Sequence, residues 1–91
     1  MWRITEDKLH EKDPEIFEKS SVGVCSHNYD GRKLEYRFRM KDDDDEIYYY
    51  GEANSCDDDK AFNPLDDFGM PDSGCTSIEY YNETTKEWEI L

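Results

Sequence analysis

Two stretches of strict alternation flank four consecutive aspartates, and they restrict the chain more than any other feature. In "LEYRFRMK", residues 34–41, Leu34, Tyr36, Phe38 and Met40 take every second position, with Glu35, Arg37, Arg39 and Lys41 between them. In "EIYYYGEA", residues 46–53, Ile47, Tyr49, Gly51 and Ala53 share one parity, and Glu46, Tyr48, Tyr50 and Glu52 share the other. A period of two is the mark of a half-buried strand. Pairing Lys41 with Glu46 sets Met40 beside Ile47 and Phe38 beside Tyr49 on one apolar face. The same pairing sets Arg39 beside Tyr48, Arg37 beside Tyr50 and Glu35 across from Glu52. A slip of one residue would oppose apolar to charged side chains, so the two faces are well specified. Asp42 to Asp45 then form a four-residue hairpin loop, a place that suits aspartate.

A second hairpin is expected at residues 78–90. Ile78 and Tyr80 alternate with Glu79 and Tyr81, and Trp88 and Ile90 alternate with Glu87 and Glu89. Matching the apolar sets pairs Tyr80 with Trp88, Ile78 with Ile90 and Asn82 with Lys86, around a three-residue loop Glu83 to Thr85.

The remaining segments give shorter signals. Residues 2–5 alternate like a strand, and residues 20–25 are weakly strand-like. Asp13-Pro14 reads as an N-cap followed by a first-turn proline, opening a short helix that buries Ile16 and Phe17. Asn63-Pro64 repeats that signature, with Gly69 as a stop before Pro71. The turn of helix between them presents Leu65 and Phe68 to the core, flanked by Phe62 and Met70. The fold class expected is α+β: a small antiparallel sheet of four to six strands, built from two hairpins, with short helices packed on one face. At 91 residues the chain is expected to form a single domain spanning 1–91.

Charge dominates the surface. There are 24 Asp and Glu against 11 Lys and Arg, a formal net charge of -13. Such a field repels nucleic acid and anionic membranes and attracts basic proteins at rates that fall with salt. No apolar run is long enough to cross a bilayer, and no secretory signal is evident. Three cysteines, Cys25, Cys56 and Cys75, make an odd count that suits reduced thiols in the cytoplasm. Aromatic residues at 14% argue for a packed core in spite of the charge.

Chemistry is sparsely encoded. Neither aspartate run matches a calcium loop: counted from Asp42 the sixth and twelfth positions are Ile47 and Ala53, and counted from Asp57 they are Phe62 and Phe68. Cys25, His27, Cys56 and Cys75 are ligands of the right type for a structural zinc ion but lack the usual close pairs, so a small zinc domain, or a minor enzyme, is the alternative reading. There is no phosphate loop, nucleophile elbow or HExxH motif, and no cofactor is implied. His10 and His27 are the available bases, and Cys75 has no neighbour that would activate it. The basic stripe of Arg37, Arg39 and Lys41 is expected to neutralise acids across the hairpin and to stack on Tyr48 and Tyr50.

The run "PLDDFGMPDSGCTSIEYYNETTKEWEIL", residues 64–91, together with "RFRMKDDDDEIYYYGEA", resembles a small family of uncharacterised bacterial proteins. These begin with a Trp-containing strand, carry a DDD-type hairpin and end in a similar tail. The resemblance implies no activity, cofactor or catalytic residue; it implies that the 64–75 loop belongs to the fold. The function expected is that of a non-catalytic acidic module that binds a basic partner protein, in its sharpest form as a nucleic-acid mimic or inhibitor. Its interaction surface is Asp42, Asp43, Asp44 and Asp45, with Asp57, Asp58, Asp59, Asp66 and Asp67.

Overall fold

The computed structural model describes all 91 residues apart from the side chains of Asp58 and Asp59. Five strands form one antiparallel sheet: β1 (Trp2–Asp7), β2 (Tyr36–Lys41), β3 (Ile47–Ala53), β4 (Ser77–Asn82) and β5 (Glu87–Ile90). Their spatial order is β1-β3-β2-β4-β5. The segment after α1 (Lys8–Lys12) returns along the outer edge of β1. There it is tied by Ile4 N–H to Val24 O, Gly23 N–H to Ile4 O and Ser26 N–H to Trp2 O. The weak strand signal at 20–25 thus becomes an irregular edge with one bridge, Arg3 to Cys25.

One face of the sheet is the core. Trp2 and Ile4, Phe38 and Met40, Tyr49 and Ala53, and Ile78 and Tyr80 are all buried on it, as the alternation requires. A short α2 (Asp58–Ala61) leads towards the segment that covers this face. The cover is a π-helical turn (Leu65–Gly69) that runs directly into α3 (Met70–Ser73). Leu65 and Phe68 are buried beneath it, and Phe68 packs on Tyr49 and Trp2 at ring-centroid distances of 5.0 and 6.0 Å. The 64–75 stretch is therefore part of the fold. Phe62 and Met70 are exposed, so only the inward pair of the four apolar residues joins the core.

The helix does not stop at Gly69. It ends at Gly74, whose left-handed φ of 73° is the usual terminator. Gly69 instead serves the packing between layers. A Cβ there would lie 2.5 Å from Met40 Sδ, so glycine lets the helix settle on the sheet without displacing the end of Met40. Pro71 is tolerated because the preceding turn is widened, with Met70 N–H bonding to Leu65 O five residues back. The expected helix after Asp13-Pro14 shrinks to a turn. The Asp13 side chain does accept from Ile16 N–H, but Ile16 and Phe17 remain exposed, with no sheet beneath them. The helix of that region is α1, capped by Asp7, which accepts from His10 N–H.

Both hairpins form, in registers that differ from those the alternation suggests. In the first, Asp42 N–H bonds to Glu46 O, the loop proper is Asp43–Asp45, and Asp45 takes the left-handed φ of 67°. A bulge then lets Met40 pair with Tyr49 while Lys41 pairs with Ile47. The net shift is two residues: Phe38 faces Gly51, Arg39 faces Tyr50 and Arg37 faces Glu52. A two-residue shift preserves both faces, so the apolar set survives except at the bulge. There Tyr48 packs against the core, and Ile47 lies with Tyr50 against α1.

In the second hairpin the loop is one residue longer, Glu83–Lys86, and Lys86 adopts φ 59°. Asn82 Oδ1 accepts from Thr84 and Thr85 N–H and holds the turn. Trp88 therefore pairs with Tyr81 and Ile90 with Glu79, a slip of one residue that moves both apolar side chains to the outer face.

Gly51 leaves no room for a side chain: a Cβ would sit 2.3 Å from Phe38 Cζ and 2.5 Å from the backbone oxygen of Arg3. Gly51→Ala is expected to lower the unfolding free energy by about 3 kcal/mol, the upper part of the range for overpacking. Gly69→Ala should cost less, because the flexible end of Met40 can yield where the Arg3 backbone cannot. Urea denaturation of the two variants checks that order.

Candidate interaction surfaces

The outer face of the sheet is organised around Trp88. The guanidinium carbon of Arg39 lies 4.5 Å from its ring centroid and that of Arg37 lies 5.6 Å away. Tyr81 and Tyr50 meet the same indole edge-on at 5.2 and 5.8 Å, and Arg37 also covers Tyr81 at 5.0 Å. The arginines of the basic stripe thus stack on Trp88 and Tyr81, not on Tyr48 and Tyr50. The slipped register of the second hairpin is the cause. Beneath the indole, Arg39 Nε donates to Glu79 at 2.6 Å, and Lys41 Nζ lies 3.1 Å from the other oxygen of the same carboxylate. Lys41 also donates to Asp45 at 2.8 Å, and that bond, with Glu79, raises its pKa against the desolvation. Arg39 and Lys41 are absorbed by the protein's own acids, while Arg37 lies over the rings and enters no ion pair among the described residues.

The aspartates of the first hairpin divide into two kinds. Asp42 is structural: its Oδ1 accepts from the N–H groups of Asp44 and Glu46, and its Oδ2 accepts from the Tyr48 hydroxyl at 2.9 Å. These bonds hold the Asp42 carboxyl below the usual range, and the same contact pushes the Tyr48 phenol up to about 12. Asp45 is bound to Lys41. Asp43 and Asp44 are exposed, as are Asp57, Asp66 and Asp67. Among the described residues, none of these five enters an ion pair. Asp58 and Asp59 belong to the expected surface, but their side chains lie outside the described residues.

The acids expected to act together are not contiguous. The Asp43–Asp45 loop extends from the end of the sheet where Lys41 meets Ile47. Asp67 sits at the opposite end, around a hollow of about 310 Å³ shared with Trp2, Cys25, Ser26 and His27. A strand of this length separates the two ends by roughly 17 Å, about twice the Debye length in physiological salt.

The cysteines occupy three separate environments. Cys25 is exposed beside His27, Cys56 is exposed near Tyr36 and Tyr80, and Cys75 is buried under Gly69. Among the described residues no group of three or more His, Cys, Asp and Glu side chains is placed to hold a metal ion. His10 Nδ1 is engaged with the Phe17 carbonyl at 2.6 Å. A more open hollow lies between α1 and β3, lined by Lys8, Lys12, Glu46, Ile47 and Tyr50, and its charges are already paired as Lys12–Glu46 and Lys8–Glu11. Among the described residues no helix is long and apolar enough to cross a membrane. Neither a family model, nor a curated protein, nor a solved structure matches the chain.

Burial pushes the Cys75 thiol up from 9.0 to about 12. The folded state therefore holds the proton that the unfolded chain releases first, and the stability this contributes is complete below pH 9.0 and lost as pH rises towards 12. Unfolding free energies measured between pH 8 and 11 should fall, beginning near the unfolded thiol value of 9.0. Cys75→Ala, less stable throughout, should delay the onset of that fall to the tyrosine range near about pH 10.

Proposed function

We propose that this domain is a non-catalytic interaction module that binds a basic partner protein. The observation that supports the reading is the division of charge. Ion pairs engage Arg3, Lys8, Lys12, Arg32, Arg39 and Lys41, six of the 11 basic side chains, largely on or beside the sheet. Against 24 acids this leaves the turns strongly negative, with Asp43, Asp44, Asp57, Asp66 and Asp67 exposed and unpaired among the described residues. Exposed carboxylates on short turns are held by a fixed backbone, so they present charge to a cationic surface at low entropic cost. A protein whose own ligand is nucleic acid offers a surface of that kind, and carboxylates on turns can take the place of its phosphates.

The test is capture of partners from the native host, followed by titration at several salt concentrations. Binding should weaken about tenfold between 0.05 and 0.2 M salt, since it rests on screened charges. Asp43→Asn with Asp44→Asn, and Asp66→Asn with Asp67→Asn, should each slow association and flatten the salt dependence. Unchanged rates in both double variants, or affinity indifferent to salt, would refute the reading.

A further inference from the structure

The edge of the sheet at β5 has no strand beyond it among the described residues. Leu91 N–H bonds to Ile78 O, so by the alternation of an antiparallel ladder Glu87, Glu89 and Leu91 direct their backbone groups towards β4. Trp88 and Ile90 direct theirs outward. Two donors and two acceptors are thus presented in line, the template on which an extended segment can add as a strand.

The side chains along this edge specify what can add. On the core-side face, Glu87 and Glu89 are exposed. Next to Glu89 lies a hollow of about 270 Å³, lined in part by Tyr36, Tyr80, Tyr81 and Glu83. Aromatic walls with two carboxylates at the rim suit the long alkyl stem and charged head of lysine or arginine. On the outer face, Ile90 is 67% exposed and continues the apolar row begun by Trp88. The edge is therefore acidic on one side and apolar on the other, and its like charges disfavour pairing with a second copy of this chain.

We propose that β5 receives an extended segment of the partner by strand addition. Basic residues of that segment alternate with apolar ones, and one basic side chain is seated between Tyr36 and Glu89. The inference rests on the basic-partner reading above and gives it a docking edge distinct from the acidic turns.

Two probes separate the two ideas: a nine-residue peptide of alternating lysine and valine, and octalysine, which carries charge without the apolar alternation. Backbone amide shifts of the intact chain are followed during titration with each. With the alternating peptide, shifts should concentrate at residues 77–82 and 87–91. Ile90→Pro removes one outward donor while sparing the β4 ladder, a substitution that edge strands accept. With folding confirmed by circular dichroism, it should weaken the alternating peptide about tenfold and leave octalysine unaffected. Glu83→Gln with Glu89→Gln should weaken the alternating peptide about fivefold. Shifts confined to residues 42–46 and 66–67, or wild-type affinity in Ile90→Pro, would overturn the docking edge and leave the acidic-turn reading standing. Failure of both probes to bind at low salt would overturn both.

Discussion

The fold depends on covering one face of one sheet, and the helical segment makes its close approach where Gly69 lies against Met40. A domain of this size has only one face of one sheet to bury, so its cover must approach closely enough to exclude water along the whole face. Glycine at the point of contact permits that approach, and the π-helical turn lets the chain carry Pro71 without breaking away. From there Phe68 reaches Tyr49 and Trp2, joining β3 to β1 under one cover. The Tyr49 hydroxyl meets Ser73 Oγ, and Thr76 N–H bonds to Lys41 O, so the cover is pinned by polar contacts at its far end as well.

Much of this was legible in the pattern of residues. The faces of β2 and β3 follow from the alternation of Tyr36 to Met40 and Tyr49 to Ala53, and the α+β class follows from two hairpins with short helical segments. What the pattern did not carry was the exact registers, off by two residues in the first hairpin and by one in the second. Each is set by a residue in the left-handed conformation, Asp45 in one loop and Lys86 in the other, and neither is the glycine that usually announces it. Matching apolar residues across the second hairpin favoured Tyr80 beside Trp88. The structure instead places the indole where two guanidinium groups and two tyrosines can surround it. Cation–aromatic contacts on a solvent face outcompeted simple apolar pairing there. Ile16 and Phe17 misled for the opposite reason: a sound capping signal marks a turn but cannot supply something to pack against.

The candidate surface was legible in part. Counting charges identified the acidic turns, but not that Asp42 and Asp45 are consumed in holding their own loop, nor that Asp67 lies at the other end of the sheet from Asp43 and Asp44. Of the basic stripe, Arg39 and Lys41 are neutralised internally, by Glu79 and Asp45, whereas Arg37 lies over the Tyr81 and Trp88 rings with no ion pair among the described residues. The result is a molecule whose strand cations are held by its own acids and aromatic rings, while Asp43, Asp44, Asp57, Asp66 and Asp67 stay exposed and unpaired among the described residues.

The two tryptophans stand on opposite sides of the same five strands, one sealed under the helical cover and the other clasped by arginines in partial contact with solvent. Excited indoles respond to such differences in polarity and neighbouring charge. The chain therefore contains an optical label for each layer: Trp2 emission follows detachment of the cover, and Trp88 emission follows events on the exposed side. Loosening of either layer can be timed without attaching a dye.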